Sequence, residues 1–478
     1  MAYYFLSIGG SGAKVMESLL HLCVAGMLPG DRDEIKIFSI DPDTGNGNLD
    51  RMSSVLRNFE EIQNDLRQGV GNDTPLFKDK VSIVKPYPWN PTRHDTTLDD
   101  MIMYPKHKGT PIGNLYEVLY TEKERNTRLN QGFRGHPSIG AAVLAQNYNL
   151  LNEESSFRNL FANNINFDNK AKIFIAGSVF GGTGAAGLPT ISRLLRYKIA
   201  ENNSNLLIGG AFILPYFDFT PDNHSTDELF ARAEDFMLNT KAALKYYAQR
   251  DNVFNTMYLI GDSSTAHIKN FSVGARNQVN DSHIVDLYSA LAAIDFFQNE
   301  VDVDTHTFKY ISCNDNKNFN WSDFPNTISN KNFRSLFVKF VRFIFSYVHL
   351  IKPVLNELRA GKIPEYQYPW FVDLLKGTEI NEHILKNFDD YVESFVRWLK
   401  QIETLEGRNV NLIKPDMFSA NSAKINDIVA FQSCDNGDTT LDFHEIWCRL
   451  SESGRVNESE KSFGKFLRRL YDVCDVSR

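Results

Sequence analysis

Cysteine is scarce. There are five in 478 residues, Cys23, Cys313, Cys434, Cys448 and Cys474, scattered and with no CxxC. That pattern argues against a disulfide framework and against a zinc ribbon, and it fits a reducing cytoplasm. Long apolar runs are missing too. The most apolar stretch, FRSLFVKFVRFIFSYVHLIKPVL over 333–355, is interrupted by Lys339, Arg342 and His349. It reads as a buried helix and not a membrane span. The N-terminus lacks the basic start and apolar core of a signal peptide. Positive charge is in deficit, with 51 Lys+Arg against 59 Asp+Glu and a formal net charge of −8. Generic binding to nucleic acid or to an anionic membrane calls for the opposite balance. No GxxxxGK followed by Ser or Thr occurs, which disfavours a P-loop ATPase. No repeat or low-complexity tract stands out.

What is present is a globular composition, 42% hydrophobic and 23% charged, in a chain too long for one ordinary core. Five short apolar runs read as buried strands: YYFLSI (3–8), IKIFSI (35–40), KIFIAG (172–177), LLIGGAFIL (206–214) and MYLIG (257–261). Helical patterns fall at 13–27, 140–152, 185–200 and 226–250. Strands alternating with helices predict an α/β fold, a mostly parallel sheet covered on both faces. In such sheets ligands bind outside the carboxyl ends of the strands. A polar helix is expected at 280–298, followed by the acidic stretch VDVDT, 301–305. From about 330 the alternation gives way to a mainly helical remainder with polar loops near 405–440. The expected domains are therefore 1–305 and 306–478. Weak periodicity over about 44–130 reads as a long insertion in the first.

The carboxyl ends of the strand runs are where the sequence is unusual. IGGSGAKVM (8–16) turns a strand into a helix through three glycines. The open N–H groups of a first helical turn favour an anion, and glycine lets it come close. One such loop is as readily a packing solution. SIDPD (39–43) places acids where a ribose commonly sits, or where a helix is capped. QGFRGHPSIGAAV (131–143) puts a proline at a helix start. GSVFGGTGAAG (177–187) supplies a second glycine loop between strand and helix, with the Thr183 hydroxyl added. Two such loops in one domain point to a phosphate.

These pieces together resemble the tubulin/FtsZ superfamily, in its divergent bacterial tubulin-like branch. SVFGGTGAAG is similar to the signature loop of that family, roughly GGGTGSG. IGGSGAKV resembles its first phosphate loop, SIDPD the loop after its second strand, and RGHPSIG its γ-phosphate loop. FILPYFDF and MYLIGDSS resemble two later loops, and Asn280-Asp281 the opening of its central helix. The likeness covers about 1–305. It implies a Rossmann-like GTPase domain that takes GTP/GDP with Mg²⁺ and assembles head to tail with copies of itself. Gly9, Gly10, Ser11 and Gly12 would line the α- and β-phosphates, and Asp41 and Asp43 the sugar and metal side. Gly135, His136 and Pro137 would approach the γ-phosphate. Gly181, Gly182, Thr183 and Gly184 would cradle the phosphates, and Asp262 and Asp281 would sit by ribose and base. A carboxylate at Asp281 suits guanine, which offers it two adjacent N–H donors. The family holds Mg²⁺ mainly through phosphate and water, so no dedicated metal ligands are expected here.

The sequence departs from the family in places. Phe180 and Ala186 replace glycines of the signature. Lys14 either adds a cation to the phosphates or faces solvent. In the family, acids after the central helix of one subunit orient the attacking water at the nucleotide of the next. Here Glu300, Asp302 and Asp304 are the candidates, with an i, i+2 spacing that differs from the family's i, i+3. They are catalytic residues or a solvated acidic loop. The expectation is a cytoplasmic, filament-forming GTPase of prokaryotic type, serving a cytoskeletal, segregation or phage-defence role. A nucleotide-dependent scaffold without turnover, meeting partner proteins through the insertion and the helical domain, is the alternative. A nicotinamide-binding Rossmann enzyme using the first loop and Asp41 is a third.

Overall fold

The computed structural model describes residues 2–28, 34–70, 76–92, 96–130, 132–133, 135–148, 157–168, 170–199, 203, 205–219, 233–250, 253–262, 266–268, 279–310, 318–324, 330–377, 382–405, 409–419, 425, 441–452 and 462–475. Most of the polar loop expected near 405–440 lies outside them, as do Ser263 and Ser264 of MYLIGDSS and Arg134 of RGHPSIG. The chain forms two compact units. One comprises Met1–Leu19, Pro29–Ser53 and Lys80–Ser312, the other Leu20–Leu28, Ser54–Asp79 and Cys313–Arg478.

The first unit is built on a seven-stranded sheet. Its strands are β1 (Ala2–Ile8), β2 (Glu34–Ile40), β3 (Lys80–Ile83), β4 (Lys172–Ser178), β5 (Leu207–Ile213), β7 (Thr256–Ile260) and β9 (Thr307–Tyr310), in the order β3-β2-β1-β4-β5-β7-β9. A separate parallel pair joins β6 (Phe217–Phe219) to β8 (Ala266–Ile268). Every pairing in the large sheet is parallel. β1, β4 and β5 are buried at nearly every position, as strands covered on both faces must be. The order reverses direction at β1, so β1 and β4 diverge at a switch point, where such sheets open a crevice.

Two strands of the large sheet escape the sequence reading, β3 and β9. They sit at the two edges and keep several residues exposed, so neither carries a continuous apolar run. The segment read as an insertion supplies one of them, along with the 24-residue helix Gly47–Val70. The helix expected to be polar at 280–298 is Ile284–Gln298, buried from Ile284 to Phe297. A helix apolar on all sides belongs in an interior. Its acids are paired: Asp295 accepts from Tyr258 Oη and Lys309 Nζ, each at 2.6 Å.

Gly12, early in the helix Gly9–Val24, packs on the main chain of β1 and β4. A Cβ there would lie 2.7 Å from Ala176 O and 3.0 Å from Ser7 C. Backbone cannot yield as a flexible side chain does. Gly12→Ala is expected to destabilise the chain by about 2 kcal/mol or more, read as a lower urea midpoint.

The second unit is mainly helical. Helix Glu382–Glu403 sets Tyr391, Phe395 and Trp398 around His21, whose Nδ1 lies 3.2 Å from Tyr391 Oη. The aromatic residues Phe333, Phe337, Phe340, Phe343 and Phe345 of helix Asn330–Ser346 are all buried. They are core. Among the described residues no helix is long and apolar enough to cross a membrane.

Candidate nucleotide cleft

Two glycine loops meet at the carboxyl ends of β1 and β4. Each opens a helix, Gly9–Val24 and Gly182–Leu194. Gly9 turns with φ +69°, and the β-carbon of Thr183 stands 3.2 Å from where a side chain on Gly9 would begin. The loop before helix Pro137–Tyr148 joins them, with Gly135 N 2.9 Å from the corresponding point on Gly182. Two helix N-termini thus open onto one cleft, which encloses about 830 Å³ counting space open to solvent. Main-chain N–H groups and two helix dipoles make that edge a site for an anion.

Of the residues singled out from the sequence, Gly9, Gly10, Ser11, Lys14, Asp41, Asp43, Gly135, Gly181, Gly182, Thr183 and Gly184 line this cleft. Others stand elsewhere. Gly12 serves packing. His136 Nδ1 pairs with Glu124 at 3.3 Å. Pro137 lines a different groove. Asp262 and Asp281 are not among the lining residues, and Asp281 is exposed. Asp281 adjoins Asn280, which does line the cleft. Asn46, Asn48 and Asn280 line the cleft instead, and an amide pairs with either purine. The amide nitrogens of Asn46 and Asn48 lie 3.2 and 3.3 Å from where a side chain on Gly10 would begin, and Asn48 Oδ1 accepts from Asn280 N at 2.9 Å. The asparagines stand three and five residues after Asp43 in DPDTGNGN, a polar run that carries no family motif.

An aromatic wall was also missed. Phe133, Phe180, Tyr216, Phe217 and Phe236 line the cleft. Phe180, in place of a signature glycine, packs on Phe236 at 4.7 Å and Phe217 at 5.6 Å between ring centroids. Such faces suit a planar, aromatic ligand.

Lys14 neither faces solvent nor hangs free in the cleft. Its Nζ lies 3.1 Å from Asp286 Oδ2 and donates to Tyr216 Oη at 2.9 Å. Burial alone would lower its pKa; Asp286 and Tyr216 outweigh that, and it is raised. Nearby, Arg51 Nε pairs with Glu17 at 2.7 Å and its Nη1 donates to Asn280 O at 2.9 Å. Removing one partner of a buried pair strands the other charge. Lys14→Met is expected to cost about 3–5 kcal/mol in a denaturant titration. Lys14→Met with Asp286→Asn should recover much of it, because both charges then leave together while the acceptor for His283 N is kept.

Asp41 is 3% exposed. Its Oδ1 accepts from Asp43 N at 3.0 Å, while its buried Oδ2 has no hydrogen-bond partner among the described residues. Burial, with the charge of Asp43 adding to it, pushes its carboxyl up to about 8. No group of three or more His, Cys, Asp or Glu side chains able to hold a metal occurs among the described residues. An orphaned carboxylate oxygen at an anion cleft nevertheless fits a cation held jointly with the anion.

Glu300, Asp302 and Asp304 are far from the cleft. Lys172, the first residue of β4, donates from Nζ to Phe297 O and Asn299 O at 2.9 Å each. Val303 O accepts from Asn255 Nδ2, just ahead of β7, at 2.8 Å. The acidic segment thus lies at the amino edge of the sheet, a strand length of roughly 20 Å from the cleft. Asp302 Oδ1 accepts from Asp304 N at 3.2 Å.

Fold and site together define a doubly wound parallel α/β domain with a glycine-lined cleft at its switch point. Among solved structures, this chain is similar to CetZ2 from Haloferax volcanii, described as a GTPgS-bound protofilament. Identity is 13%, the TM-score 0.29, and the match covers 62% of this chain and 59% of that one. No protein-family model matches the sequence, and no curated protein does.

Proposed function

We propose that this chain is a tubulin-like GTP-binding protein that hydrolyses GTP where a second copy completes the site, and so assembles head to tail. The observation that carries this reading is the meeting of GGSG and GGTG on one cleft. Amides of Gly9, Gly10 and Ser11 hold the α- and β-phosphates. Gly181 to Gly184 and Gly135 hold the distal phosphates. The aromatic wall takes the base, and the asparagines address its edge or the ribose. Asp41 Oδ2 would hold Mg²⁺ with the phosphates, and the cation offsets phosphate charge that Lys14, committed to Asp286, leaves uncovered.

The distance between the cleft and the acidic segment favours completion between copies. Within one chain Asp302 and Asp304 cannot reach the γ-phosphate. In a head-to-tail pair the amino edge of one sheet faces the carboxyl edge of the next. An acid then orients water for attack on the γ-phosphorus; the bond to the β–γ bridging oxygen breaks, and GDP and phosphate leave. Contacts of this kind do not close on themselves and generate open polymers.

The internal Asp302–Asp304 hydrogen bond favours a second reading, a GTP-dependent scaffold with no turnover. Titration with a fluorescent GTP analogue, and phosphate release across a range of protein concentrations, separate the two. Turnover rising faster than linearly with protein supports the first. Tight binding with flat, negligible release supports the second. Absence of any GTP affinity sinks both.

A further inference from the structure

Asn255, one residue ahead of β7, is wholly buried. Each of its polar groups has a partner. Its main-chain N–H donates to Ile208 O at 2.8 Å, and its carbonyl accepts from Thr307 N at 2.9 Å. Those bonds tie it to β5 and β9. Its side-chain Oδ1 accepts from Ile208 N at 2.9 Å and from Arg196 Nη2 at 2.7 Å. Two donors on one atom identify that atom as the oxygen, so the amide has a single orientation. The other end must then find an acceptor, as buried polar groups do. It donates from Nδ2 to Val303 O at 2.8 Å.

Val303 lies in the acidic segment, between Asp302 and Asp304. Asp302 O accepts from Thr305 N at 3.1 Å and from Thr305 Oγ1 at 2.8 Å, and Asp302 Oδ1 accepts from Asp304 N. Turn 302–305 is thus shaped by bonds within itself. Asp302 and Asp304 are exposed, and Val303 between them is half-buried. Among the described residues, the bond from Asn255 is the one hydrogen bond that fixes this turn to the sheet. Arg196, which orients the amide, sits on the π-helical turn Leu195–Ile199 that continues helix Gly182–Leu194. Its Nε and Nη2 also hold Val253 O, at 3.2 and 2.8 Å.

We propose that Asn255 is a positioning residue whose amide holds turn 302–305, and with it Asp302 and Asp304, in the direction presented to a second copy of this chain. It rests on the reading above in taking those acids as the hydrolytic ones. It assigns their placement to a buried side chain that touches neither nucleotide nor attacking water. A misplacement of about 1 Å can cost about a hundredfold in rate, so the loss should show in turnover far more than in stability.

Asn255→Asp tests this. The carboxylate keeps the size and the Oδ1 acceptor, and the Arg196 guanidinium offsets its charge. The donor to Val303 O becomes an oxygen that repels it. The melting temperature should stay near that of the parent and affinity for the GTP analogue should be unchanged. Turnover at saturating GTP should fall by about tenfold or more. Amide hydrogen exchange over 302–305 should quicken, with peptides of the cleft unaffected. Added to Asp302→Ala/Asp304→Ala, Asn255→Asp should lower the residual rate no further, because effects exerted through one group do not add. A merely structural role would lower that rate again and weaken analogue binding. Val303→Gly loosens the same turn from its half-exposed side, away from the core, and should reproduce the rate loss even if Asn255→Asp folds poorly. Parent-like turnover and exchange in both variants, or a further fall when Asn255→Asp joins the acid-free variant, overturns the proposal. Quickened exchange in a chain whose parent releases no phosphate at any concentration would uphold the anchor and remove the hydrolytic reading alone.

Discussion

Asp41→Asn is expected to make the nucleotide-free protein harder to unfold above neutral pH and to weaken its hold on GTP with Mg²⁺. The carboxyl of Asp41 is pushed up to about 8 by burial, against about 3.9 in an unfolded chain. The folded state therefore binds this proton more tightly than the unfolded one. The stability owed to the neutral carboxyl is complete below about pH 4 and is lost as pH rises through about 8. Above that, a buried carboxylate is left with Oδ2 unpartnered among the described residues. Asparagine keeps the acceptor for Asp43 N and cannot ionise. It should raise the unfolding free energy by on the order of 3 kcal/mol at about pH 8.5, with the gain shrinking to nothing near pH 4. Urea titrations at both pH values measure this. A variant less stable than the parent at the higher pH would show that Oδ2 costs nothing there. The second half concerns function. If Oδ2 is left unpaired so that it can meet a cation beside the phosphates, losing its charge should lower affinity for GTP with Mg²⁺ by about tenfold. Affinity measured with a chelator present should change far less. Such opposition between stability and binding is what a group kept for a ligand produces.

The strands at the centre of the sheet were legible because burial on both faces writes itself as unbroken apolar runs. KVSI at β3 and TFKY at β9 were not, because an edge strand keeps polar positions. The glycine loops could be located from sequence, and so could Asp41. What could not be read was the fate of Lys14. Its partner Tyr216 is 202 residues away along the chain, and no local pattern links the two. The same holds for Asp286 and Asp295, which gave the central helix a polar look although both are buried. Asn280 lines the cleft beside Asp281, and its link to Asn48, 232 residues away, leaves no local pattern either.

Copies that each lack half of the proposed hydrolytic machinery should restore one another. Asp302→Ala/Asp304→Ala removes the acids from the exposed amino edge, where the burial pattern shows nothing that depends on them for packing. GTP binding in that variant should persist, because its cleft is untouched, while turnover falls by about a hundredfold or more. Thr183→Val/Ser11→Val has the opposite defect. It places apolar branches among the phosphate amides and should abolish measurable GTP affinity, while leaving the acids in place. Alone, the first variant turns over GTP only at its residual rate and the second not measurably. Mixed, the intact cleft of the first can meet the intact acidic edge of the second, and at equal amounts a substantial fraction of end-to-end junctions pairs them productively. Turnover in the mixture should therefore rise well above the sum of the separate rates and grow with total protein. The roughly 20 Å between the two edges of one sheet forbids the same rescue inside a single chain. A mixture no more active than its components, from copies that still co-sediment, would remove the acids from catalysis and leave the cleft as a GTP-binding switch for assembly.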